Sequence, residues 1–259
     1  MSKDKSDKPT PSLFWEPENL RFTLFHKEET LEQTWWKDLF DTTPDDSQTK
    51  KLLHKEESKF ENGKLLLLLQ LGRIDWQYII DIEKDMESVD KSMLTLGEFS
   101  TSLDLFFEHI NRWFERETCP SAIRLAFGTV LLKRVENLQA GYQKIAECLP
   151  NVTLDPEHSR DFMYRINRPR ESKTGLVGLK INRLSTWSVA GLIRVQSAIP
   201  LGVGLVQHFQ SPERFACRLE LDINTAPEYQ TGFLREQLSK VFQELVDLGK
   251  EIAQEGDIP

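Results

Sequence analysis

The segment GKLLLLLQLGRIDWQYII, residues 63–80, decides the fold of this chain, because it joins two strand-like arms through a turn. In the second arm Ile74, Trp76 and Tyr78 alternate with mostly polar residues, and a period of two is typical of a β-strand with one buried face. The leucine-rich first arm is apolar on both faces, as a covered central strand is. Gly72 suits the first central position of a tight turn. The segment therefore predicts an antiparallel hairpin inside a sheet.

Apolar residues recur at spacings of three and four in other parts of the chain, and this spacing predicts helices. The predicted helices cover residues 30–40, 99–117, 135–149 and 229–254. Alternating or continuous apolar runs predict further strands at residues 21–26, 122–132, 161–169, 176–196 and 213–224. The fold class expected from this order is α+β, with antiparallel sheets and long amphipathic helices.

The order of these elements suggests two similar β-β-α-β-like halves. They would be an N-terminal half at residues 15–150 and a C-terminal half at residues 151–259, either as separate units or as one continuous domain. Residues 1–14 are polar and contain prolines, so we expect a disordered tail and no secretory signal there.

Composition excludes several classes of protein. The chain has 259 residues, 39% of them hydrophobic, and a net charge of −8. No apolar run approaches the roughly 18 residues of a membrane span. Excess negative charge disfavours general binding to nucleic acids or to anionic membranes. Three well-separated cysteines, Cys119, Cys148 and Cys217, do not form a disulfide framework and indicate a reducing, cytoplasmic location.

The familiar motifs of catalysis and metal binding are missing from the sequence. It contains no GxxxxGK[ST] phosphate loop, no GxSxG elbow, no CxxC pair and no HExxH motif. The glycines of GVGLVQ, residues 202–207, lack the third glycine of a dinucleotide fingerprint, so we interpret this segment as a flexible loop. The acidic cluster at residues 155–161 is typical of turns and caps. We therefore expect no cofactor, no metal and no catalytic residue.

One hairpin carries the best candidate for a site. In YRINRPRESKTGLVGLKINRL, residues 164–184, a pairing of Ile166 with Ile181 would place the apolar side chains on one face and the polar ones on the other. The strand FACRLELDIN, residues 215–224, would add its own polar face. Asparagine is depleted in strands. Asparagines gathered on one face therefore indicate a hydrogen-bond network, a covering helix or a ligand. The alternative is a solvated face that carries cross-strand ion pairs.

The candidate binding residues are mainly basic or amide side chains, which suit carboxylate, phosphate or amide groups. They are Arg165, Asn167, Arg168, Lys180, Asn182, Arg183, Asp222 and Asn224.

The order of four segments resembles a sporadically distributed, uncharacterised family of bacterial proteins of similar length. The segments are KLLLLLQLGRIDWQYI, FSTSLDLFFEHINRWF, SAIRLAFGTVLL and FACRLELDINT. In the third segment Gly128 stands where the family pattern leads us to expect asparagine. The patchy distribution of the family implies a role in bacterial defence or in a toxin–antitoxin pair.

Two classes of function follow from these observations. The leading hypothesis is a non-enzymatic regulatory or interaction protein that binds another protein or forms a homo-oligomer. The alternative is a sensor of a small anionic ligand or nucleotide that uses the polar face of the C-terminal sheet. Because Glu220 and Asp222 lie on one strand, an acid-dependent hydrolase or nuclease is a further alternative.

Overall fold

A computed structural model describes residues 15–27, 35–81, 94–192 and 214–258. Several expectations fall outside these ranges: the tail at residues 1–14, the first residues of the helix predicted from Thr30, residues 193–196 of the strand predicted at 176–196, the first residue of the strand predicted at 213–224, and the glycine-containing loop at residues 202–207.

The described residues form one ten-stranded sheet in which every pairing is antiparallel. The strands are β1 (Glu16–Phe25), β2 (Asp46–Lys50), β3 (Leu53–Phe60), β4 (Gly63–Gln70), β5 (Arg73–Ile80), β6 (Arg124–Val135), β7 (Met163–Asn167), β8 (Arg170–Glu171), β9 (Lys180–Leu192) and β10 (Arg214–Thr225). Their order across the sheet is β2-β3-β4-β5-β1-β6-β10-β9-β7, and β8 also pairs with β9.

Four helices lie within the described ranges and pack on the same face of the sheet. They are α1 (Trp35–Phe40), α2 (Phe99–Phe114), α3 (Leu138–Cys148) and α4 (Arg235–Glu255). In α2 the carboxylate of Glu98 accepts hydrogen bonds from the backbone N–H groups of Ser100 and Thr101, which caps the first turn. Asn137 caps α3 in the same manner through the N–H group of Ala140.

Aromatic side chains fill the layer between helices and sheet. Phe22 of β1 makes edge-to-face contacts with Trp113 of α2 and with Phe242 of α4, the latter ring centroids 4.6 Å apart. Phe127 of β6 also contacts Phe242. Gly249 and Gly141 bring their helices close to the sheet, because a Cβ on Gly249 would lie 2.8 Å from the Phe127 ring. Within the described ranges the hydrophobic core therefore lies on the helix side of the sheet.

The α+β class with an antiparallel sheet is confirmed. The hairpin at residues 63–80 forms as predicted, although Leu71 and Gly72, not Gly72 and Arg73, are the central turn residues. Strands β2 and β3 were missed. The sequence of β2, DSQTK, is polar throughout and shows no alternation of apolar and polar residues. Its strand conformation at the edge of the sheet therefore depends on its pairing with β3.

The predicted register of the second hairpin was wrong. The predicted faces are right for the strand residues, but Val177, expected on the apolar face, is 96% exposed in the loop. Ile166 pairs with Ser185, and Ile181 pairs with Arg170. The loop is longer than predicted, since residues 172–179 are held by the hydrogen bond from the Ser172 N–H group to the Leu179 carbonyl group. The predicted pairing is shifted from the observed pairing by an even number of residues. The same strand side chains therefore still point toward the helices.

Candidate functional site

The face of the sheet opposite the four described helices is called the outer face here. Its residues are the even-numbered ones of β2, β4, β6, β9 and β10 and the odd-numbered ones of β3, β5, β7 and β8. In β1 they are Glu16 and, after the register irregularity at residues 17–19, the odd-numbered residues from Asn19 onward. Large side chains on this face, such as Arg21, Arg124 and Arg218, keep intermediate exposure, whereas those on the helix side, such as Phe22 and Phe127, are fully buried. The outer face therefore carries the accessible polar surface of the sheet.

Basic residues are concentrated on the outer face. Its twelve lysines and arginines within the strands are Arg21, Lys50, Lys55, Lys59, Lys64, Arg73, Arg124, Arg134, Arg165, Lys180, Arg214 and Arg218. Its seven acidic residues are Glu16, Asp46, Glu57, Asp75, Glu171, Glu220 and Asp222. In the four described helices acidic residues outnumber basic ones. An acidic protein thus presents a basic sheet face.

Several of the acidic groups on this face are already paired. Lys55 bonds Glu57, Lys180 bonds Glu171 at 3.3 Å, and Arg218 pairs with Glu220 on its own strand. In contrast, Arg134 and Arg165 are exposed and have no carboxylate within 4.0 Å among the described residues. The charges of Arg134 and Arg165 are therefore accessible on the outer face.

The predicted asparagines form an amide chain across β7, β9 and β10. Asn167 donates to Asn182 at 3.0 Å, Asn182 donates to Asn224 at 3.1 Å, and Asn224 donates to the carboxylate of Asp222 at 3.2 Å. The side-chain oxygen of Asn167 accepts the backbone N–H of Arg183 at 2.9 Å. The unusual asparagines are thus accounted for by a hydrogen-bond network on one polar face.

Arg124 extends this network to β6, although its role was not predicted. Its guanidinium donates to the Asn224 side-chain oxygen and to the Thr225 carbonyl group, both at 3.3 Å. Its Cζ atom also lies 5.1 Å from the centre of the Phe25 ring, within cation–π range. All these partners are neutral, so they orient the charge of Arg124, and no carboxylate of the described ranges neutralises it.

Next to it, Arg73 is fully neutralised by Asp75. The guanidinium of Arg73 donates to both carboxylate oxygens, at 2.7 and 3.0 Å, and the Thr23 hydroxyl donates to one of them at 2.5 Å. Asp75 is 1% exposed. It accepts hydrogen bonds from Arg73 and Thr23, and its burial shields it from an external cation.

Arg168 and Arg183 lie on the helix side of the sheet, away from the other six candidates. Arg168 forms a two-point ion pair with Asp257, at 2.6 and 2.7 Å, and the Tyr164 hydroxyl donates to the same carboxylate at 3.1 Å. The hydrogen bonds from Arg168 hold the pKa of Asp257 below its usual value. These contacts fasten the residues after α4 to the β7–β9 edge.

Arg183 is 2% exposed and lies 3.4 Å from Glu251, which also accepts two hydrogen bonds from Arg170. Burial lowers the pKa of Arg183. Burial alone would raise the pKa of Glu251, but the hydrogen bonds and charge of Arg170 outweigh it, and the pKa lies below its usual value. Arg183 and Arg170 therefore hold α4 on the sheet.

The structure brings Asn167, Asn182, Asp222 and Asn224 into one network. Arg165 and Lys180 lie on the same face at its rim, where both are exposed. The assignment of the eight candidates as binding residues stays a prediction. Arg21 and Arg124 were missed because they lie far from the hairpin in sequence, and the only local signal was Gly128 within an apolar strand.

The described ranges contain no group of three His, Cys, Asp or Glu side chains placed to hold a metal ion. The three cysteines are buried, and burial raises their pKa to about 12 in Cys119, about 11 in Cys148 and about 12 in Cys217. Thiols of this kind are poor nucleophiles at neutral pH. Within the part of the chain that the structure describes, no helix has the length and apolar character needed to cross a membrane.

Comparisons with protein-family models, with curated proteins and with solved structures gave no match for this chain.

Proposed function

We propose that this protein is a non-enzymatic, cytoplasmic interaction protein that holds an acidic partner protein on the outer face of its sheet. The observation that carries this proposal is the separation of charge, with basic residues on the outer face and an acidic helix layer. Complementary charge steers association and selects among partners.

The shape of the outer face supports a macromolecular partner over a small ligand. Small molecules bind in concave pockets that bury most of their surface. Among the described residues, cavities of about 260 and 500 Å³ lie beside α4, on the helix side, where residues such as Glu244 and Ser239 line them. A broad sheet face instead suits the roughly 800 Å² per partner of a stable protein interface.

The charges on this face also support a protein rather than a nucleic acid. Glu220 and Asp222 lie among the arginines of the C-terminal strands, where they would repel a phosphate backbone. A protein surface, in contrast, can place basic groups opposite these carboxylates. The resemblance to a sporadic bacterial family further suggests that the partner belongs to a defence or toxin–antitoxin pair.

Capture of a partner by matched charge-reversal variants tests the proposal. Arg134→Glu/Arg165→Glu reverses two exposed charges on the outer face, and Lys37→Glu/Arg116→Glu reverses two exposed charges on the helix side. A lysate of the source organism is passed over the wild-type protein and over both variants at low salt. We expect an acidic protein to bind the wild type and the helix-side variant, and to be lost from the outer-face variant.

The salt dependence is part of the same test. Raising the ionic strength from about 0.1 M to 1 M shortens the screening length from about 10 to 3 Å, so retention should fall. A partner that is basic, or that the outer-face variant retains, would count against the proposal.

A sensor of a small anionic ligand or nucleotide is the second candidate function. It is favoured by the amide chain next to Arg124, whose partners among the described residues are neutral. Ligand in hundredfold excess over its Kd would stabilise the protein by about 2.7 kcal/mol. A thermal-shift screen of nucleotides and organic anions should therefore raise Tm, and Arg124→Gln should abolish the rise. No shift with any anion would exclude this candidate.

The division into two similar halves with long amphipathic helices is also a proposal. It is supported by the plan that the halves share, in which a long strand is followed by a helix, β6 by α3 and β10 by α4. A homo-oligomer is the alternative partner arrangement, and light scattering of the purified protein distinguishes it.

A further inference from the structure

Arg21 lies near the middle of the outer face, on β1, which is flanked by β5 and β6. Its side chain is partly exposed, but its Nε atom is fully buried and has no hydrogen-bond partner. Buried donors are normally paired, because an unpaired one loses its hydration without compensation. Among the described residues no acceptor bonds this nitrogen, so packing holds the arginine in place.

The packing partner is Gly128, which is directly opposite Arg21 on β6. A Cβ atom on Gly128 would lie 2.8 Å from a terminal nitrogen of Arg21 and 3.2 Å from its Cζ atom. The guanidinium thus lies flat over the glycine, in the space that any other side chain would fill.

The backbone does not explain this glycine. Gly128 is not among the residues with positive φ, so other residues could adopt its conformation. Glycine inside a strand loses more conformational entropy on folding and packs less surface than other residues. Gly128 leaves a space that the Arg21 guanidinium occupies, and this packing offsets the cost of a glycine within the strand.

No described carboxylate neutralises Arg21. On β5, the neighbouring Asp75 is already bonded to Arg73 and Thr23. On β10, Asp222 lies directly opposite Gly128 in the register and accepts from Asn224, but it is not within 4.0 Å of the Arg21 guanidinium. Arg124 on β6 is a second cation to which the described part of the chain offers neutral acceptors and no carboxylate.

We propose that Arg21, seated on Gly128, is the anchor that binds a carboxylate side chain of the acidic partner. This inference rests on the proposed function and names the group that the outer face recognises. An arginine held over a flat backbone presents its remaining N–H groups to solvent in the fork geometry that matches a carboxylate. Asp222 nearby favours a singly charged carboxylate over a phosphate dianion, because like charges repel.

The test follows the arginine side chains directly by NMR. Protein labelled with ¹⁵N-arginine is titrated with a hexaglutamate peptide, and the Nε–H signal of Arg21 is assigned by its loss in Arg21→Lys. We expect this signal to move saturably, while the signal of Arg116 on the helix side stays in place. A decathymidine oligonucleotide serves as the nucleic-acid probe, and it should move Arg21 less than the peptide does.

Gly128→Ala is the decisive variant because it keeps every charge. The added Cβ displaces the flexible end of Arg21, so Tm should be unchanged or higher. The loss of one charge-assisted contact should weaken binding of hexaglutamate about tenfold. Arg165→Gln removes a rim charge on the same face and should weaken it less. Loss of folding in Gly128→Ala, or binding equal to wild type, would overturn the anchor.

The outcomes separate this inference from the proposed function. If hexaglutamate moves the signals of Arg134 and Arg165 but not that of Arg21, the anchor is wrong and binding of acidic groups by the outer face survives. If only the oligonucleotide moves Arg21, the anchor binds phosphate and the carboxylate assignment is wrong. If no outer-face arginine moves, both proposals fail.

Discussion

Replacing Arg168 by alanine removes the guanidinium that holds Asp257, and this change is expected to destabilise the protein strongly. The carboxylate of Asp257 is only 4% exposed, and Arg168 supplies two of its three side-chain hydrogen bonds. Among the described residues, the Tyr164 hydroxyl would then be the one remaining side-chain donor to this carboxylate. The segment after α4 would then lose its main attachment to the β7–β9 edge.

The expected cost follows from burial. Breaking a buried ion pair costs about 3–5 kcal/mol, and single hydrogen bonds to charged groups contribute about 1.5–3 kcal/mol. Because the Arg168 side chain is 25% exposed, water can partly replace it. We therefore expect Arg168→Ala to lower the free energy of unfolding by about 2–3 kcal/mol at pH 7. Urea denaturation followed by tryptophan fluorescence measures this difference.

A double-mutant cycle separates the ion pair from the rest of the Arg168 side chain. Adding Asp257→Asn to Arg168→Ala removes the uncompensated charge, so the double variant should lose less stability than the sum of the single variants. Lys144→Ala is the matched control, since Lys144 and Glu147 form an exposed pair whose loss should cost less than about 0.5 kcal/mol.

The pH dependence provides a second check on the same pair. The pKa of Asp257 is lowered in the folded protein, so its pairing stabilises the fold above the unfolded pKa of about 3.9. That contribution is lost as the pH falls through the lower folded value. The cost of Arg168→Ala should therefore shrink in acid. A cost under about 0.5 kcal/mol at pH 7, or one that persists unchanged in strong acid, would refute the reasoning.

Three further predictions concern the core, a helix cap and the thiols. Gly249→Ala should destabilise the protein by about 1–3 kcal/mol in urea denaturation, because its Cβ would lie 2.8 Å from the Phe127 ring; no loss would contradict the packing of α4. Glu98→Gln should cost about 1 kcal/mol at neutral pH. That cost should vanish in acid below pH 2, since hydrogen bonds from Ser100 and Thr101 lower the pKa of Glu98 to about 2, and a pH-independent cost would argue against this cap. The native thiols should stay unreactive toward a disulfide reagent at pH 8 and react on unfolding; fast native labelling would contradict their burial. They are Cys119, Cys148 and Cys217.

The periodicity of the sequence predicts which side chains share a face better than it predicts which strands are neighbours. Alternation within residues 163–167 and 180–187 assigns inward and outward positions correctly, because the side-chain period of a strand is two. It does not determine the register, since any even shift keeps the same faces. The length of the 172–179 loop sets the register, and this loop is fixed by Glu244 of α4, which accepts hydrogen bonds from Ser172 and Lys173.

The N-terminal contribution to the outer face could not be predicted for a related reason. Arg21 and Gly128 are 107 positions apart in sequence, and β1 reaches β6 only after β2 to β5 have been placed on its other side. Local patterns carry no information about such a contact. Gly128 departs from the asparagine that the family pattern leads us to expect, and in the structure Arg21 occupies the space over this glycine.

The repeated Ile-Asn-Arg of the second hairpin shows how one motif serves both faces of a sheet. Successive side chains of a strand point to opposite sides, so an asparagine and the arginine after it cannot share a surface. Asn167 and Asn182 accordingly bond each other on the outer face, while Arg168 and Arg183 reach Asp257 and Glu251 on the helix side. The arginines fix the edge of the sheet to α4, and the asparagines connect its strands on the outer face. A ligand on the outer face would therefore meet the amide chain and the cations of Arg21, Arg124 and Arg165, while the two arginines of the motif remain behind the sheet.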